Sequence, residues 1–228
     1  MMLWMSGVRT NIRSVRDEIS RACERIGRDP ADVTLMAVTK GESIDTIKEA
    51  IDEGIRHLGE SKVQEALNKI PVFSGNNDLT WYMIGHLQTN KMKQALSLFG
   101  EIHSVDSLNL AHKINETVKD SGKIIPIYIE INISGEQSKY GLSPSMLRSF
   151  LSSAQFFSGI KIEGLMTLAP FSKNPEESRP YFKELARLAG ANGLKGLCMG
   201  MSGDFIVAIE EGATIIRVGR AIFKESPE

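Results

Sequence analysis

The sequence predicts an α/β fold, a single (β/α)8 TIM-type barrel with an extra N-terminal helix. Three observations carry this expectation. Eight short apolar runs alternate with segments of helical periodicity. Shared among eight units, the chain beyond its first helix leaves roughly 25 residues for each, which suffices for a compact barrel. No glycine-rich turn follows the first run, which counts against a doubly wound open sheet with a dinucleotide site. The length of 228 residues suits one domain over 1–228, with the N-terminal helix in 1–28 and the barrel in 33–223.

Taken in order, the first element is a helix from Gly7 to Ile26: Val8, Ile12, Val15, Ile19, Ala22, Cys23 and Ile26 recur at helical spacing, and Gly27 with Pro30 closes it. Its arginines read as a solvated face, since Asp17 precedes Arg21 and Glu24 precedes Arg28 by four residues. The strand runs are Val33 to Val38, Ile55 to Gly59, Trp81 to Gly85, Glu101 to Val105, Ile125 to Ile133, Ile160 to Leu168, Gly196 to Met201 and Thr214 to Val218. Helix starts are marked by Ser43, Ser61, Ser107, Ser143 with Pro144, and Pro175 with Glu176 and Glu177. Glu210 and Glu211 read as a solvated helix end.

Composition narrows the function. With 27 Lys plus Arg against 28 Asp plus Glu, no global field draws the chain to nucleic acid or an acidic membrane. Hydrophobic residues at 42% and charged residues at 24% exclude a disordered or fibrous chain. Cys23 and Cys198 are too few and too far apart for a disulfide framework or a thiolate metal site, and His57, His103 and His112 lack metal-ligand spacing. The apolar opening Met1 to Met5 is cut short by Arg9, Arg13 and Arg16. A cytoplasmic protein, neither secreted nor membrane-inserted, is expected.

In a barrel of this type chemistry collects at the C-terminal ends of the strands. Lys40 follows the apolar Leu35 to Val38. An amine at an apolar mouth is desolvated, kept neutral and able to capture a carbonyl as an imine; a lysine snorkelling to solvent is the alternative. After the seventh run come Gly200, Met201, Ser202, Gly203 and Asp204, opening a helical pattern whose exposed amides favour an anion. The eighth run delivers Gly219 and Arg220 towards the same corner, the recurrent phosphate cradle of the fold, with a plain capped turn as the alternative. An imine-forming lysine facing a phosphate cradle describes a site for pyridoxal 5′-phosphate. Arg217, two residues before Gly219, can face the interior and meet a pyridine nitrogen, or pair with a carboxylate. His86 is either a site residue or a structural histidine.

Many blocks in one order extend this reading: Ala37-Val38-Thr39-Lys40, Gly59-Glu60 with Val63-Gln64-Glu65, Ile84-Gly85-His86-Leu87-Gln88, His103-Ser104-Val105-Asp106, Asn132-Ile133-Ser134, Gly164-Leu165-Met166, Met199-Gly200-Met201-Ser202 and Arg217-Val218-Gly219. With them the chain resembles, over nearly its whole length, the pyridoxal phosphate homeostasis proteins, which are built like the barrel domain of alanine racemase. The resemblance implies that Lys40 holds the cofactor as an internal aldimine and that Ser202 with the Gly219 and Arg220 amides binds its phosphate. It further implies that Arg217 faces the pyridine nitrogen and that Met201 and Met166 line the pocket. Two positions depart from the pattern: Ser61 stands where relatives commonly have Asn, and Arg220 where they commonly have Thr.

The resemblance also implies a carrier that buffers the cofactor or delivers it to apo-enzymes. Racemisation needs an acid or base on each face of the substrate carbon. Alanine racemase takes its second one from a separate β domain of a neighbouring subunit, and no room for such a domain is expected before Glu228. A monomeric, non-catalytic protein is therefore expected. The alternatives are a small pyridoxal-phosphate-dependent amino-acid racemase or lyase, and a cofactor-free aldolase with a lysine Schiff base.

Overall fold

Side chains alternate inward and outward along a strand, and that alternation organises this protein. The computed structural model describes residues 7–224, so the Met1 to Met5 stretch lies outside the described residues. Among those described, eight parallel strands close into a barrel in sequence order: β1 (Thr34–Val38), β2 (His57–Glu60), β3 (Thr80–Met83), β4 (Glu101–Val105), β5 (Ile125–Glu130), β6 (Ile160–Met166), β7 (Gly196–Met201) and β8 (Ile215–Val218). β8 returns to β1, placing Met36 beside Arg217 and Ala37 beside Val218. Inward-facing Met36, Tyr82, Tyr128, Met166, Cys198 and Ile215 fill the barrel, with Ile84 against them. Outward-facing Ala37, Leu58, Ile102, Ile129, Leu165 and Ile216 join the larger core shared with the helices.

The helices follow the sequence signals with two shifts. α1 (Gly7–Arg25) buries Val8, Ile12, Val15, Ile19, Ala22 and Cys23, each Val or Ile contributing about 1.5–3 kcal/mol. α2 (Ile44–Asp52) is capped by Ser43, whose Oγ accepts from Thr46 N at 3.1 Å. α3 (Val63–Lys69) starts one residue later than Ser61 suggests: Lys62 is its N-cap, and no side chain caps it. α4 (Met92–Leu98) precedes β4, and α5 (Leu108–Val118) is capped by Ser107. The Pro144 and Pro175 signals open short 3₁₀ turns, and α6 (Leu147–Ala154) and α7 (Arg179–Ala191) begin after them. α8 (Phe205–Glu210) and the single turn α9 (Arg220–Phe223) follow β7 and β8.

Three apolar runs outlast their strands, that of β3 by Ile84 and Gly85. Past Glu130 the chain bonds its own loop: Asn132 N donates to the Leu142 carbonyl, and Asn132 Oδ1 accepts from Gly135 N. Past Met166 the Thr167 hydroxyl donates to the Ile131 carbonyl. Glu210 and Glu211 are not a solvated helix end. Arg179 donates to both, at 2.7 and 2.8 Å, and Arg25 reaches Glu210 at 2.8 Å, tying α1, α7 and α8 together.

Gly200 turns the end of β7 with φ +90°, and a Cβ there would lie 2.6 Å from Ala208 Cβ. Gly200→Ala is expected to cost about 1–3 kcal/mol, read as a lowered urea midpoint with an unchanged slope; an unchanged midpoint would show that the turn relaxes freely.

Candidate functional site

The strand ends carrying the sequence-selected residues form one continuous arc of the barrel rim. Around the ring β7, β8, β1, β2 and β3 are successive neighbours, leading to Ser202, Gly219, Lys40, Ser61 and His86 in that order. Met36 faces the barrel interior from β1, which ends at Val38. Lys40 itself lies past the strand and is exposed, so the burial expected to desolvate its amine is not present in this structure. Its neighbour Thr39 is buried and held on both sides: its hydroxyl donates to Glu60 Oε1 at 2.7 Å, and its carbonyl accepts from Lys69 Nζ at 2.7 Å.

Ser202 serves a different helix from the one its sequence position suggests. Its Oγ accepts from Ala221 N at 3.2 Å, at the start of α9, whereas the turn before α8 is organised by Asp204, whose Oδ1 accepts from Met201 N at 2.7 Å. The ends of β7 and β8 therefore converge on one point, a hydroxyl beside backbone amides. Gly219 closes the corner against β1: a Cβ there would stand 3.4 Å from both Val38 Cβ and Val38 O. This corner thus adjoins the end of β1, two residues before Lys40. Arg220 is exposed and Met201 is 38% exposed.

Arg217 is buried inside the barrel. Its Nη1 donates to the Cys198 carbonyl at 2.9 Å and its Nη2 to the Thr167 carbonyl at 2.8 Å, which fixes the guanidinium against β6 and β7. Met166 lies fully inside the interior cluster. On the other flank Ser61 and His86 line a cavity of about 340 Å³ with Lys62, Met83, Gln88 and Lys91. Gly85 makes this approach possible, because a Cβ there would fall 2.2 Å from the Ser61 carbonyl. His86 Nδ1 donates to Asp106 Oδ2 at 3.1 Å, and the ring stacks on Tyr140 with centroids 4.0 Å apart.

Sequence reasoning missed Glu130. It sits at the end of β5, 6% exposed, and lines a cavity of about 220 Å³ with Asn132, Lys139, Tyr140 and Leu168. Burial pushes its carboxyl up to about 7, opposed by the Arg217 guanidinium and reinforced by Asp106. Its position inside an apolar run was the available signal. No helix among the described residues is long and apolar enough to cross a membrane.

Comparison with known proteins agrees with this fold. The family described as "Alanine racemase, N-terminal domain" matches residues 10–227. The chain is 39% identical to the pyridoxal phosphate homeostasis protein of Aquifex aeolicus (strain VF5) over 217 residues, covering 92% of this chain and 95% of that one. PipY of Synechococcus elongatus PCC7942, solved with PLP bound, superposes with a TM-score of 0.78 at 34% identity, covering 90% of this chain and 99% of PipY. Alanine racemase of Clostridium difficile 630 shares the fold, with a TM-score of 0.75 at 15% identity over 97% of this chain and 57% of the enzyme. With its closed barrel and its sequence in accord, the chain belongs to the alanine racemase N-terminal domain family and, within it, to the pyridoxal phosphate homeostasis proteins.

Proposed function

We propose that this chain binds pyridoxal 5′-phosphate at the barrel rim and serves its intracellular homeostasis, as a cytoplasmic monomer forming one domain that holds the cofactor reversibly and buffers or delivers it. The observation that carries the reading is the adjacency of two unlike places. The Ser202 hydroxyl and α9 amides form an anion corner, and Gly219 sets that corner against Val38, two residues before Lys40. The residues present fit the cofactor. Its phosphate suits the hydroxyl and the Gly219, Arg220 and Ala221 amides, where helix-start N–H groups favour an anion. When bound, the cofactor supplies an aldehyde that a lysine amine captures.

Each remaining residue has a positioning task. Lys40 offers the amine from a backbone immobilised at Thr39. Arg217, clamped by two carbonyls, presents a permanent cation to the ring nitrogen. Met201 and Met166 wall the pocket from β7 and β6, while Ser61 and His86 bound it on the β2 and β3 side. The similarity to PipY with PLP bound supports the same ligand here.

The test is spectroscopic. Purified protein with added pyridoxal phosphate is expected to show a visible absorbance band that borohydride bleaches, leaving the ligand fixed to Lys40, and Lys40→Ala is expected to abolish the band. A protein that stays colourless with added cofactor overturns the proposal. Scrambling of chirality in single amino-acid enantiomers at enzymatic rates would favour the racemase alternative, and substrate-dependent trapping without colour the aldolase.

A further inference from the structure

Below the rim, four ionisable side chains form an unbroken line through the barrel. Glu101 Oε2 lies 3.0 Å from His103 Nε2, His103 Nδ1 lies 3.3 Å from Cys198 Sγ, and Arg217 Nη1 lies 3.1 Å from the same sulfur. His103 and Cys198 are wholly buried and Arg217 is 4% exposed. The His103 ring is held between Tyr82, edge-on at 4.9 Å, and Tyr128 at 4.1 Å, so it has little freedom to turn away. None of these contacts is used by the cofactor site as described above.

Resting on the cofactor reading, we propose that the Cys198 side chain joins the two carbonyls in positioning Arg217 for the ring nitrogen, its sulfur accepting N–H bonds from Arg217 and His103 together. A guanidinium has only donors, so the sulfur accepts from Arg217. A carboxylate accepts, so His103 Nε2 carries a proton towards Glu101. Moving the thiol proton from Sγ to Nδ1 makes an imidazolium and a thiolate without changing the net charge. The line then reads carboxylate, imidazolium, thiolate, guanidinium, with every neighbour of opposite sign, the arrangement in which buried charges are tolerated.

Electrostatics agree with that order. Burial pushes the Cys198 thiol up, but Arg217 and His103 together bring it below its ordinary value. Burial pushes the His103 ring down, but Cys198 and Glu101 bring it above its own. The other ionisable groups facing this line are His57 and Tyr82 on β2 and β3, Tyr128 on β5, Glu163 on β6 towards Tyr128, and Glu130, itself faced by Asp106, towards Arg217. His57 is lowered by burial and bonded to the Tyr82 hydroxyl at 2.8 Å, and burial raises both tyrosines. These three groups are therefore neutral around neutral pH and do not compete for the thiolate.

The full chain, freed of cofactor, provides the test. Ultraviolet thiolate absorbance is followed against pH in wild type and Cys198→Ser, with ring ¹⁵N shifts of His103 recorded in parallel. Burial raises the only other thiol, Cys23, so it stays protonated at neutral pH. Wild type is expected to carry one thiolate at pH ~7 with His103 doubly protonated, a state set by the charge order of the line, and Cys198→Ser to lose both signatures. The variant is further expected to bind pyridoxal phosphate about tenfold more weakly, the scale of one hydrogen bond to a charged group. Where Cys198→Ser fails to fold, His103→Gln is expected to lose the thiolate and weaken the same ligand.

Absence of a thiolate in wild type, or equal affinity with either residue at 198, overturns this proposal alone. A wild-type chain that carries the thiolate yet ignores pyridoxal phosphate overturns the cofactor reading, and with it the role given to Cys198.

Discussion

Lys69→Met is expected to lower the unfolding free energy by about 3–5 kcal/mol, the cost of breaking a buried ion pair from one side. Glu60 is wholly buried and Lys69 nearly so, and their 2.7 Å contact is supplemented on the Glu60 side only by the Thr39 hydroxyl. Glu60 Oε2 has no hydrogen-bond partner, so little remains to solvate the charge once the ammonium is gone. Methionine keeps much of the lysine stem, which confines the loss to the charge and its bonds. Glu60→Leu combined with Lys69→Met is expected to recover most of the stability, because a buried pair replaced by apolar groups leaves no orphan. Urea unfolding of the single and double variants decides it: a loss below about 1 kcal/mol for Lys69→Met would place the pair with ordinary surface bridges. Lys69 also holds the Thr39 carbonyl, so the folded fraction of Lys69→Met is expected to bind the cofactor more weakly through a loosened Lys40 backbone.

Glu130 makes stability depend on pH in the direction opposite to an ordinary paired carboxylate. Burial raises its carboxyl from 4.5 to about 7 in the folded protein. Below the unfolded value the group is protonated in both states, and the fold suffers no penalty. As pH rises past 4.5 the unfolded chain ionises first, so stability falls, and the loss is complete once pH has passed about 7. The full swing is about 3 kcal/mol at ~1.4 kcal/mol per pH unit. Glu130→Gln removes the titration while keeping the shape. Between pH ~3.5 and pH ~8.5 wild type is therefore expected to lose about 3 kcal/mol more than the variant. Parallel stability curves for the two proteins would show that Glu130 titrates as a solvated acid.

The barrel was readable from the chain because it rests on local patterns. Eight apolar runs became eight strands, and Ser43 and Ser107 cap the helices they announce. Ser61 misled because the strand-to-helix turn places Lys62 at the cap position, leaving Ser61 to face the cavity it shares with His86. The residues of the rim were likewise recognisable by their place at strand ends. What could not be read were partnerships that exist only after ring closure. His103 and Cys198 are 95 residues apart, and nothing near either marks it as the other's partner. Glu130 and Glu60 each end a strand, and the environment that matters to them is supplied by Arg217 and Lys69 from other elements.

α1 lies across the place where β8 meets β1. Asn11 donates to the carbonyls of Ile222 and Lys224, and Arg28 donates to that of Ala213. During vectorial synthesis the oily stripe of Val8, Ile12 and Val15 on α1 therefore gains its full cover only when β8 and α9 arrive, about 200 residues later. A nascent chain stalled before Ala213 is an open fan of strands with two raw edges, the kind of species chaperones capture and aggregates recruit. Closure of β8 onto β1, rather than formation of any single unit, is the event that zips this protein shut.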